Sequence, residues 1–320
     1  MRVALIGFGN VGKAFSRLLE KKRSAYPFRI VGIHTGRHGS AFNNKGLGPA
    51  PEFGEAAASA GEFLDRARPD VAIEITTLNP ESGEPAVGHI RAALQRNIHV
   101  ITANKGPIAH QYASLREQAR QAQVEFRFES TVMDGAPVFN MVRNNLPGVK
   151  ILGFSGSLNS TSKLVVEAMA RGRTMDEGIK EAQAMGVAEA DAGFDIDGWD
   201  SAAKAAALAN VLMDAGTTPQ KVERQGIRAI TTAEVVALAA EHKTILLVSR
   251  GELDGGTVRL QVRPEIFPQS DLMATARGTS NLILFHTDLM GSVGTVAIQP
   301  GVEQTAYGLF SDLVDIAKSV

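Results

Sequence analysis

One short segment near the middle of the chain carries the residues best suited to chemistry. Residues 186–206 read GVAEADAGFDIDGWDSAAKAA, in which several carboxylates precede a single lysine. The acidic residues are Glu189, Asp191, Asp195, Asp197 and Asp200, and the lysine is Lys204. Asp200 and Lys204 are four residues apart and therefore share one face of a helix. Carboxylates in this arrangement could bind a substrate ammonium group while the lysine transfers a proton.

The acidic segment does not match the spacing of known metal-binding motifs. Neither Asp191 nor Asp195, taken as the first ligand of a calcium loop, is followed by the glycine and glutamate that such a loop requires. The chain also has no HExxH element or paired-histidine spacing for a transition metal. Two interpretations stay open from these residues alone. One is a solvated acidic loop followed by a lysine whose stem lies along an apolar helix, and the other is a polar substrate site.

The N-terminal residues show a nucleotide-binding pattern. Residues 2–6 (RVALI) predict a buried strand, residues 7–12 read GFGNVG, and the residues after them have helical spacing. A strand, G-x-G-x-x-G and a helix in this order are typical of a dinucleotide site, although a glycine-rich turn without a ligand is the alternative. The residues expected to contact the cofactor in this loop are Gly7, Phe8, Gly9, Asn10, Val11 and Gly12.

The end of the second predicted strand, at residues 28–35, bears on the choice of cofactor. An acidic residue at this point selects NAD, whereas an arginine accommodates the 2′-phosphate of NADP. This chain reads Gly36-Arg37-His38, without an acidic residue. The sequence therefore predicts NADP, with Arg37 contacting the 2′-phosphate, while NAD remains possible.

Strands and helices alternate through the first part of the chain and predict an α/β fold. A helix at about 83–96 separates strands at 71–77 and 99–104, which indicates a Rossmann-type, doubly wound parallel sheet over residues 1–130. Ligands of such sheets bind beyond the carboxyl ends of the strands. The residues predicted at that edge are Thr76, Thr77, Asn104 and Lys105.

From residue 131 the pattern indicates a second, α+β domain for catalysis and dimerisation, extending to residue 302. A long alanine-rich helix is predicted at roughly 200–215, and strands are predicted at 244–250, 257–263, 282–287 and 293–298. The C-terminal helix, about 303–320, is expected to pack back on the first domain.

Composition excludes several classes of function. The 33 basic and 34 acidic residues give a formal net charge of −1, which favours neither nucleic acid nor an anionic membrane as a partner. The longest apolar runs are too short for a membrane helix. The chain has no cysteine, which excludes disulfides and thiol nucleophiles and is compatible with a cytoplasmic location.

Taken together, the motifs resemble the homoserine dehydrogenase family, in its compact form without an appended regulatory domain. The resemblance covers nearly the whole chain and rests on the acidic segment together with GFGNVG, TANKGP, ESTVMDGAP and PGVEQTAYGLFSDL. It implies NAD(P)-linked interconversion of L-homoserine and L-aspartate 4-semialdehyde. It also implies that Lys204 transfers the proton and that Lys105 positions the substrate. Further residues are implied to bind substrate (Glu189, Asp200, Asp195) or cofactor (Thr76, Thr77, Lys105, Gly186, Gly301).

The same resemblance implies a bound ion and an assembly. In relatives, a sodium ion is held by the segment matching Glu129 and the backbone carbonyls of Val132, Asp134 and Ala136. Such an ion has only hard oxygen ligands and would be structural rather than redox-active. Relatives dimerise through the sheet of the second domain, so a homodimer that acts on a small amino-acid substrate is expected.

Two departures from the family pattern leave other functions open. Lys163 stands where the family usually has asparagine, and Val187 stands where it usually has tyrosine. A dehydrogenase for another small hydroxy or amino acid is therefore an alternative, and a catalytically silent NADP-binding regulator is another. The Glu-Lys-Pro element of two-domain sugar dehydrogenases is replaced here by Asn-Lys-Gly-Pro.

Overall fold

The computed structural model describes residues 1–319. The chain divides into two compact units. The first comprises Met1–Met141 together with the chain from Gly301 onward, and the second comprises Val142–Pro300.

The first unit is built on a six-stranded sheet in the order β3-β2-β1-β4-β5-β6. All neighbouring strands are parallel except β3, which runs antiparallel to β2 at one edge. This is the predicted Rossmann-type sheet, and the fold class is confirmed. The strands are β1 (Arg2–Ile6), β2 (Arg29–Thr35), β3 (Gly39–Phe42), β4 (Val71–Glu74), β5 (His99–Thr102) and β6 (Phe126–Arg127).

The helices of this first part of the chain connect successive strands. The central strand β4 is buried along its whole length, as expected for a parallel strand covered on both faces. The helices are α1 (Asn10–Lys22), α2 (Ala60–Ala67), α3 (Ala86–Leu94), α4 (Lys105–Ala122) and α5 (Phe139–Asn145).

The second unit contains a sheet in the order β12-β11-β7-β9-β10-β8, in which only the short β8 pairs in parallel. Its strands are β7 (Ile151–Ser157), β8 (Glu223–Arg224), β9 (Lys243–Asp254), β10 (Thr257–Pro268), β11 (Asn281–Thr287) and β12 (Ser292–Ala297). Its helices are α6 (Ser160–Ala170), α7 (Met175–Ala184), α8 (Gly193–Ile196), α9 (Trp199–Leu212), α10 (Thr232–Ala240) and α11 (Leu272–Thr275).

Helix α9 carries the lysine that the sequence singled out. Ala202, Ala203 and the run from Ala205 to Ala209 are buried, and the helix contacts β9 and β10. Alanine has the highest helix propensity and lets a helix approach a sheet closely. The small side chains therefore fix the height of Lys204 above the sheet.

The C-terminal helix α12 (Val302–Ser319) belongs to the first unit. Its buried residues Leu309, Leu313 and Ile316 share a core with Phe15 and Leu19 of α1. The sequence predicts a boundary between domains at residue 130, whereas the contacts divide the two units after Met141. The difference arises because the loop after residue 130 packs against α12. A β-carbon on Gly135 would lie 2.3 Å from the backbone oxygen of Gln304.

Within residues 1–319 no helix is both long enough and apolar enough to cross a membrane.

Candidate active site

The glycine-rich turn between β1 and α1 has the geometry that its sequence requires. Gly7 has a φ of +101°, and a β-carbon there would lie 2.5 Å from the backbone oxygen of Ile75. Only glycine fits such a close approach of two strand ends. Gly9 precedes the first turn of α1, and a β-carbon built on it would meet nothing within 4 Å. A ligand could therefore approach the backbone at Gly9.

A cavity of about 860 Å³ lies elsewhere, on charged strands of the second unit, whereas the glycine-rich turn opens into one of about 620 Å³. The smaller cavity is the one with nucleotide-binding residues. Of the predicted cofactor contacts, it brings together Gly7, Phe8, Gly9, Arg37, Thr76 and Thr77. The others from the same loop, Asn10, Val11 and Gly12, lie in the first turn of α1 and do not line it.

Arg37 lines this cavity and is exposed. Its guanidinium has no hydrogen-bond or ion-pair partner among the residues that the structure describes. Three histidines that the sequence analysis did not propose as contacts, His34, His38 and His89, also line the cavity. Burial lowers the pKa of His34, whose Nδ1 lies 2.9 Å from the hydroxyl of Ser40. The cavity therefore contains the Arg37 guanidinium, which has no partner among the described residues, next to three histidine side chains.

Lys105 is the first residue of α4, directly beyond β5. Asn104 caps this helix, because its Oδ1 accepts the backbone N–H of Gly106 at 3.1 Å. The Asn104 Nδ2 also donates to the backbone oxygen of Thr76 at 3.3 Å. Lys105 thus begins a helix whose start is tied to the cavity wall, rather than lying in a mobile loop. The predicted strand at 71–77 ends earlier, at Glu74, because the N–H of Thr76 donates to the carboxylate of Glu74 and not to a neighbouring strand.

In the second unit, Lys204 lies in a polar cluster. Its Nζ is 2.9 Å from Oδ2 of Asp200 and donates to the backbone oxygen of Leu158 at 2.7 Å. The side chains of Lys204 and Asp200 are only 15% and 14% exposed. Lys204 is therefore not a surface lysine that merely extends along an apolar helix.

Asn159 connects this ion pair to a second carboxylate and was not among the predicted site residues. Its Nδ2 donates to Asp195 at 2.6 Å and to Asp200 at 3.0 Å. Its Oδ1 accepts the backbone N–H of Ser162 at 2.7 Å and so caps α6. Since the cap fixes which end of the amide is the oxygen, the NH₂ group must face the carboxylates. Its position as a helix N-cap was the one signal in the sequence that could have identified Asn159.

The two carboxylates are held close together in a partly buried place. Burial, and next the neighbouring Asp200 carboxylate, raise the pKa of Asp195. A pair of acids beside one lysine can hold a substrate cation and keep the lysine oriented for proton transfer.

The remaining carboxylates of the segment do not join this cluster. Glu189 is exposed, and its carboxylate has no hydrogen-bond or ion-pair partner within residues 1–319. Asp191 accepts the backbone N–H of Gly193 at 2.8 Å, and Asp197 forms a bidentate pair with Arg228 at 2.7 and 2.9 Å. Gly186 follows α7 with a φ of +71°, and Gly301 precedes α12.

Lys163, one of the departures from the family pattern, is 2% exposed. Its Nζ donates to Asn281 Oδ1 at 2.9 Å and to the backbone oxygens of Ser157 and Ser280. It therefore ties α6 to the end of β7 and the start of β11.

The segment predicted to hold sodium has two features that suit a cation. The backbone oxygens of Val132, Asp134 and Ala136 accept no hydrogen bond from residues 1–319. Glu129 is 1% exposed, and burial raises its pKa to about 7, although its carboxylate accepts the backbone N–H groups of the three residues 138–140. No group of three or more His, Cys, Asp or Glu side chains in the described part of the chain has a metal-binding arrangement.

Comparison with known proteins gives consistent matches. A family model described as homoserine dehydrogenase matches residues 137–314, and one described as the homoserine dehydrogenase NAD-binding domain matches residues 7–129. The chain is 33% identical to an NAD(+)-dependent homoserine dehydrogenase of Pseudomonas canavaninivorans, over 99% of this chain and 96% of that protein. It is also 33% identical to a homoserine dehydrogenase of Methanocaldococcus jannaschii, over 100% and 99% of the two chains.

Solved structures agree in fold. A homoserine dehydrogenase from Thiobacillus denitrificans superposes with a TM-score of 0.86 at 26% identity, over 99% of this chain and 73% of that one. A hyperthermophilic archaeal homoserine dehydrogenase in complex with NADPH superposes with a TM-score of 0.84 at 25% identity, over 100% and 98% of the two chains.

Proposed function

The chain belongs to the homoserine dehydrogenase family, and from that premise we propose that it interconverts L-homoserine and L-aspartate 4-semialdehyde with NADP. The observation that carries the proposal is the cluster of Lys204, Asp200, Asn159 and Asp195, which combines a proton donor with carboxylates for an amino-acid ammonium group. The first unit supplies an NAD(P)-binding domain. As an enzyme of amino-acid biosynthesis without cysteine, it is placed in the cytoplasm by this proposal.

The proposed mechanism assigns each step to a side chain. The cofactor would be held by residues that line the cavity of the first unit, and it would supply or take up the hydride at the carbon that bears the substrate oxygen. In the reducing direction, the Lys204 ammonium donates a proton to the aldehyde oxygen. In the oxidising direction, its amine accepts the proton of the homoserine hydroxyl. Asp200 stabilises the ammonium form of Lys204 and orients it. Glu189, Asp200 and Asp195 are assigned to the substrate ammonium group.

Lys105 is assigned a positioning role in the same mechanism. Its place at the start of a capped helix supports this role, because a helix start holds its residues in fixed directions. Gly186 and Gly301 are retained as cofactor contacts on the basis of the family pattern.

A spectrophotometric assay of NADPH formation and consumption tests the proposed reaction. Turnover of both L-homoserine and aspartate semialdehyde is expected. A screen of other small hydroxy and amino acids covers the alternative suggested by Lys163 and Val187, and better turnover of one of these would replace homoserine as the substrate. Cofactor binding without turnover of any of them would indicate a silent regulator.

Cofactor choice depends on Arg37 in this proposal. The free guanidinium can form charge-assisted bonds with a 2′-phosphate, which serine cannot reproduce. We expect Arg37→Ser to raise the KM for NADP by about tenfold or more and to leave NAD kinetics nearly unchanged. One relative is NAD(+)-dependent and another is solved in complex with NADPH. The kinetics must therefore compare the two cofactors and not only measure affinity for one. Arg17→Ser, on an exposed part of α1, is the matched control. Equal losses with both cofactors would remove Arg37 from 2′-phosphate recognition.

A structural sodium ion is proposed at Glu129 and the free backbone oxygens of Val132, Asp134 and Ala136. Because an ion that binds only the folded state stabilises it, melting temperature should be higher in sodium chloride than in choline chloride at equal ionic strength. The difference should be a few degrees, at about 2–4 °C per kcal/mol for a chain of this size class. Glu129→Gln is expected to abolish the difference. Identical melting temperatures of the wild-type protein in the two salts would exclude the ion.

The assembly is proposed to be a homodimer formed through the sheet of the second unit. Several large apolar side chains on its strands are exposed, including Leu152, Leu253, Ile266 and Val296 at 40%, 48%, 58% and 49%. Large apolar side chains exposed on a sheet are candidates for contact with a partner. Light scattering during gel filtration measures the mass directly, and a monomer at assay concentration would contradict the proposal.

A further inference from the structure

Glu74 is a buried acid that the proposed mechanism does not use. It is the last residue of β4, in the middle of the sheet of the first unit, and it is 1% exposed. Burying a carboxylate is costly unless hydrogen bonds or a cation compensate for the loss of water. The hydrogen bonds that Glu74 accepts should therefore show what it contributes.

One oxygen of Glu74 holds the wall of the cofactor cavity. Oε1 accepts the backbone N–H of Thr76 at 3.0 Å and also the hydroxyl of the same residue. Thr76 lines the cavity next to the Gly7 turn. Glu74 thus fixes both the backbone and the side chain of a residue proposed to contact the cofactor.

The other oxygen leads to the start of α4. Oε2 accepts the hydroxyl of Thr102 at 3.0 Å, and the Thr102 oxygen in turn accepts the backbone N–H of Asn104 at 2.9 Å. The Thr102 hydroxyl donates its one proton to Glu74, and a lone pair on the same oxygen accepts the Asn104 N–H, so this side chain links the two residues. Asn104 caps α4 and also donates to the Thr76 backbone oxygen. The hydrogen bonds thus form a ring through Glu74, Thr102, Asn104 and Thr76, immediately before Lys105.

We propose that Glu74 is a positioning residue for the reaction, which sets Thr76 against the cofactor and the Asn104–Lys105 helix start against the substrate. The inference rests on the proposed function, because it assumes that Thr76 and Lys105 serve the same reaction. Glu74 itself touches neither cofactor nor substrate. His89, which lines the cavity with its Nδ1 3.7 Å from Oε1, is the nearest basic group in the contacts of Glu74.

The first variant to measure is Glu74→Gln, which keeps the shape of the side chain. In Glu74→Gln one of the two carboxylate oxygens becomes an NH₂ group, so one of the two threonines, Thr76 or Thr102, loses its acceptor. We expect kcat to fall by about tenfold and the NADPH dissociation constant, followed by fluorescence, to rise severalfold, since small misplacements are costly in catalysis. Glu74→Leu should lose activity in the same way and should also lower the melting temperature, because Thr76 and the buried Thr102 hydroxyl lose their acceptor.

A second pair of variants separates the two branches and remains informative if Glu74 variants fold poorly. Thr102→Val removes the hydroxyl that joins Glu74 to Asn104 but leaves the hydrogen bonds between Glu74 and Thr76 in place, so kcat should fall while NADPH affinity stays near that of the wild type. Thr102→Ser restores the hydroxyl and should recover most of the lost kcat. If Thr102→Val lost kcat and NADPH affinity in parallel, or if Thr102→Ser did not recover kcat, the proposed link from Glu74 through Thr102 to Lys105 would be wrong.

The outcome is distinguishable from failure of the proposed function. If the wild-type protein turned over neither homoserine nor aspartate semialdehyde, the function would fail, but NADPH binding could still be measured. An unchanged NADPH dissociation constant in a folded Glu74→Leu protein, which retains neither oxygen, would overturn the positioning role. If the Glu74 variants melted at a lower temperature but kept the kcat of the wild type per folded molecule, Glu74 would contribute to stability alone.

Discussion

Replacing Lys204 by methionine should lower kcat for homoserine oxidation by about 10²-fold or more, since the variant keeps the aliphatic stem but has no group to accept or donate the proton. The cofactor should bind with nearly unchanged affinity, because the cavity that would hold it is lined by residues of the first unit. Kinetics, NADPH titration and melting temperature on one preparation are the required measurements.

The structure adds an expectation about the stability of this variant. Asp200 is 14% exposed and lies 2.9 Å from Lys204, so methionine leaves a mostly buried carboxylate without its cation. Removing one member of such a pair is destabilising, and the melting temperature should fall by a few degrees. Lys180→Met, an exposed lysine on α7 of the same unit, is the matched control and should change neither property. Near-wild-type turnover by Lys204→Met would remove Lys204 from the mechanism and leave Lys105 as the remaining lysine.

The sequence was sufficient for features encoded by neighbouring residues. The spacing of Asp200 and Lys204 predicted a shared helix face, and the two side chains form an ion pair. The glycine pattern predicted a strand, a tight turn and a helix, and Gly7 has the close approach to Ile75 that requires glycine. Such predictions work because helix and turn geometry depend on residues a few positions apart.

The sequence could not show which acidic residues act together. Asn159 and Asp200 are 41 positions apart, so their contact depends on how α6 and α9 pack and not on local spacing. Five carboxylates looked equivalent in the segment, yet only Asp195 and Asp200 reach Asn159, whereas Asp197 is paired with Arg228. The sequence predicts only that Glu74 lies in a strand, because a strand pattern does not reveal which hydrogen-bond donors surround its last residue.

Packing also explains why charge is tolerated in this place. Two neighbouring carboxylates repel each other. Their repulsion is offset by the Lys204 ammonium, the Asn159 amide, a hydrogen bond between the Thr161 side chain and Asp195, and the start of α9, where Asp200 lies in the first turn. A substrate ammonium group would offset it further. The carboxylates of the cluster are therefore better neutralised when a substrate cation is bound, which is the property expected of a binding site.

Asn159→Asp should have the second-largest effect, with kcat/KM for homoserine reduced by about 10²-fold near pH 7. Asparagine and aspartate cap helices about equally well, so α6 should begin unchanged. The NH₂ group that donates at 2.6 Å to Asp195 and 3.0 Å to Asp200 is replaced by a carboxylate oxygen, which brings three like charges together. Steady-state kinetics of variant and wild type across pH 6–9 measure the loss.

The pH dependence of that loss identifies its cause. Burial and Asp200 already raise the pKa of Asp195, and a third carboxylate would raise the pKa values of the cluster further. As pH falls through those raised values the cluster binds a proton, and a protonated carboxyl can donate a hydrogen bond where the amide did. The ratio of variant to wild-type kcat/KM should therefore increase as pH is lowered. Asn159→Ser also caps α6 but adds no charge, so its loss should be smaller, about tenfold, and its ratio independent of pH. Equal, pH-independent losses in the two variants would mean that Asn159 serves the helix cap and has no part in holding the carboxylates.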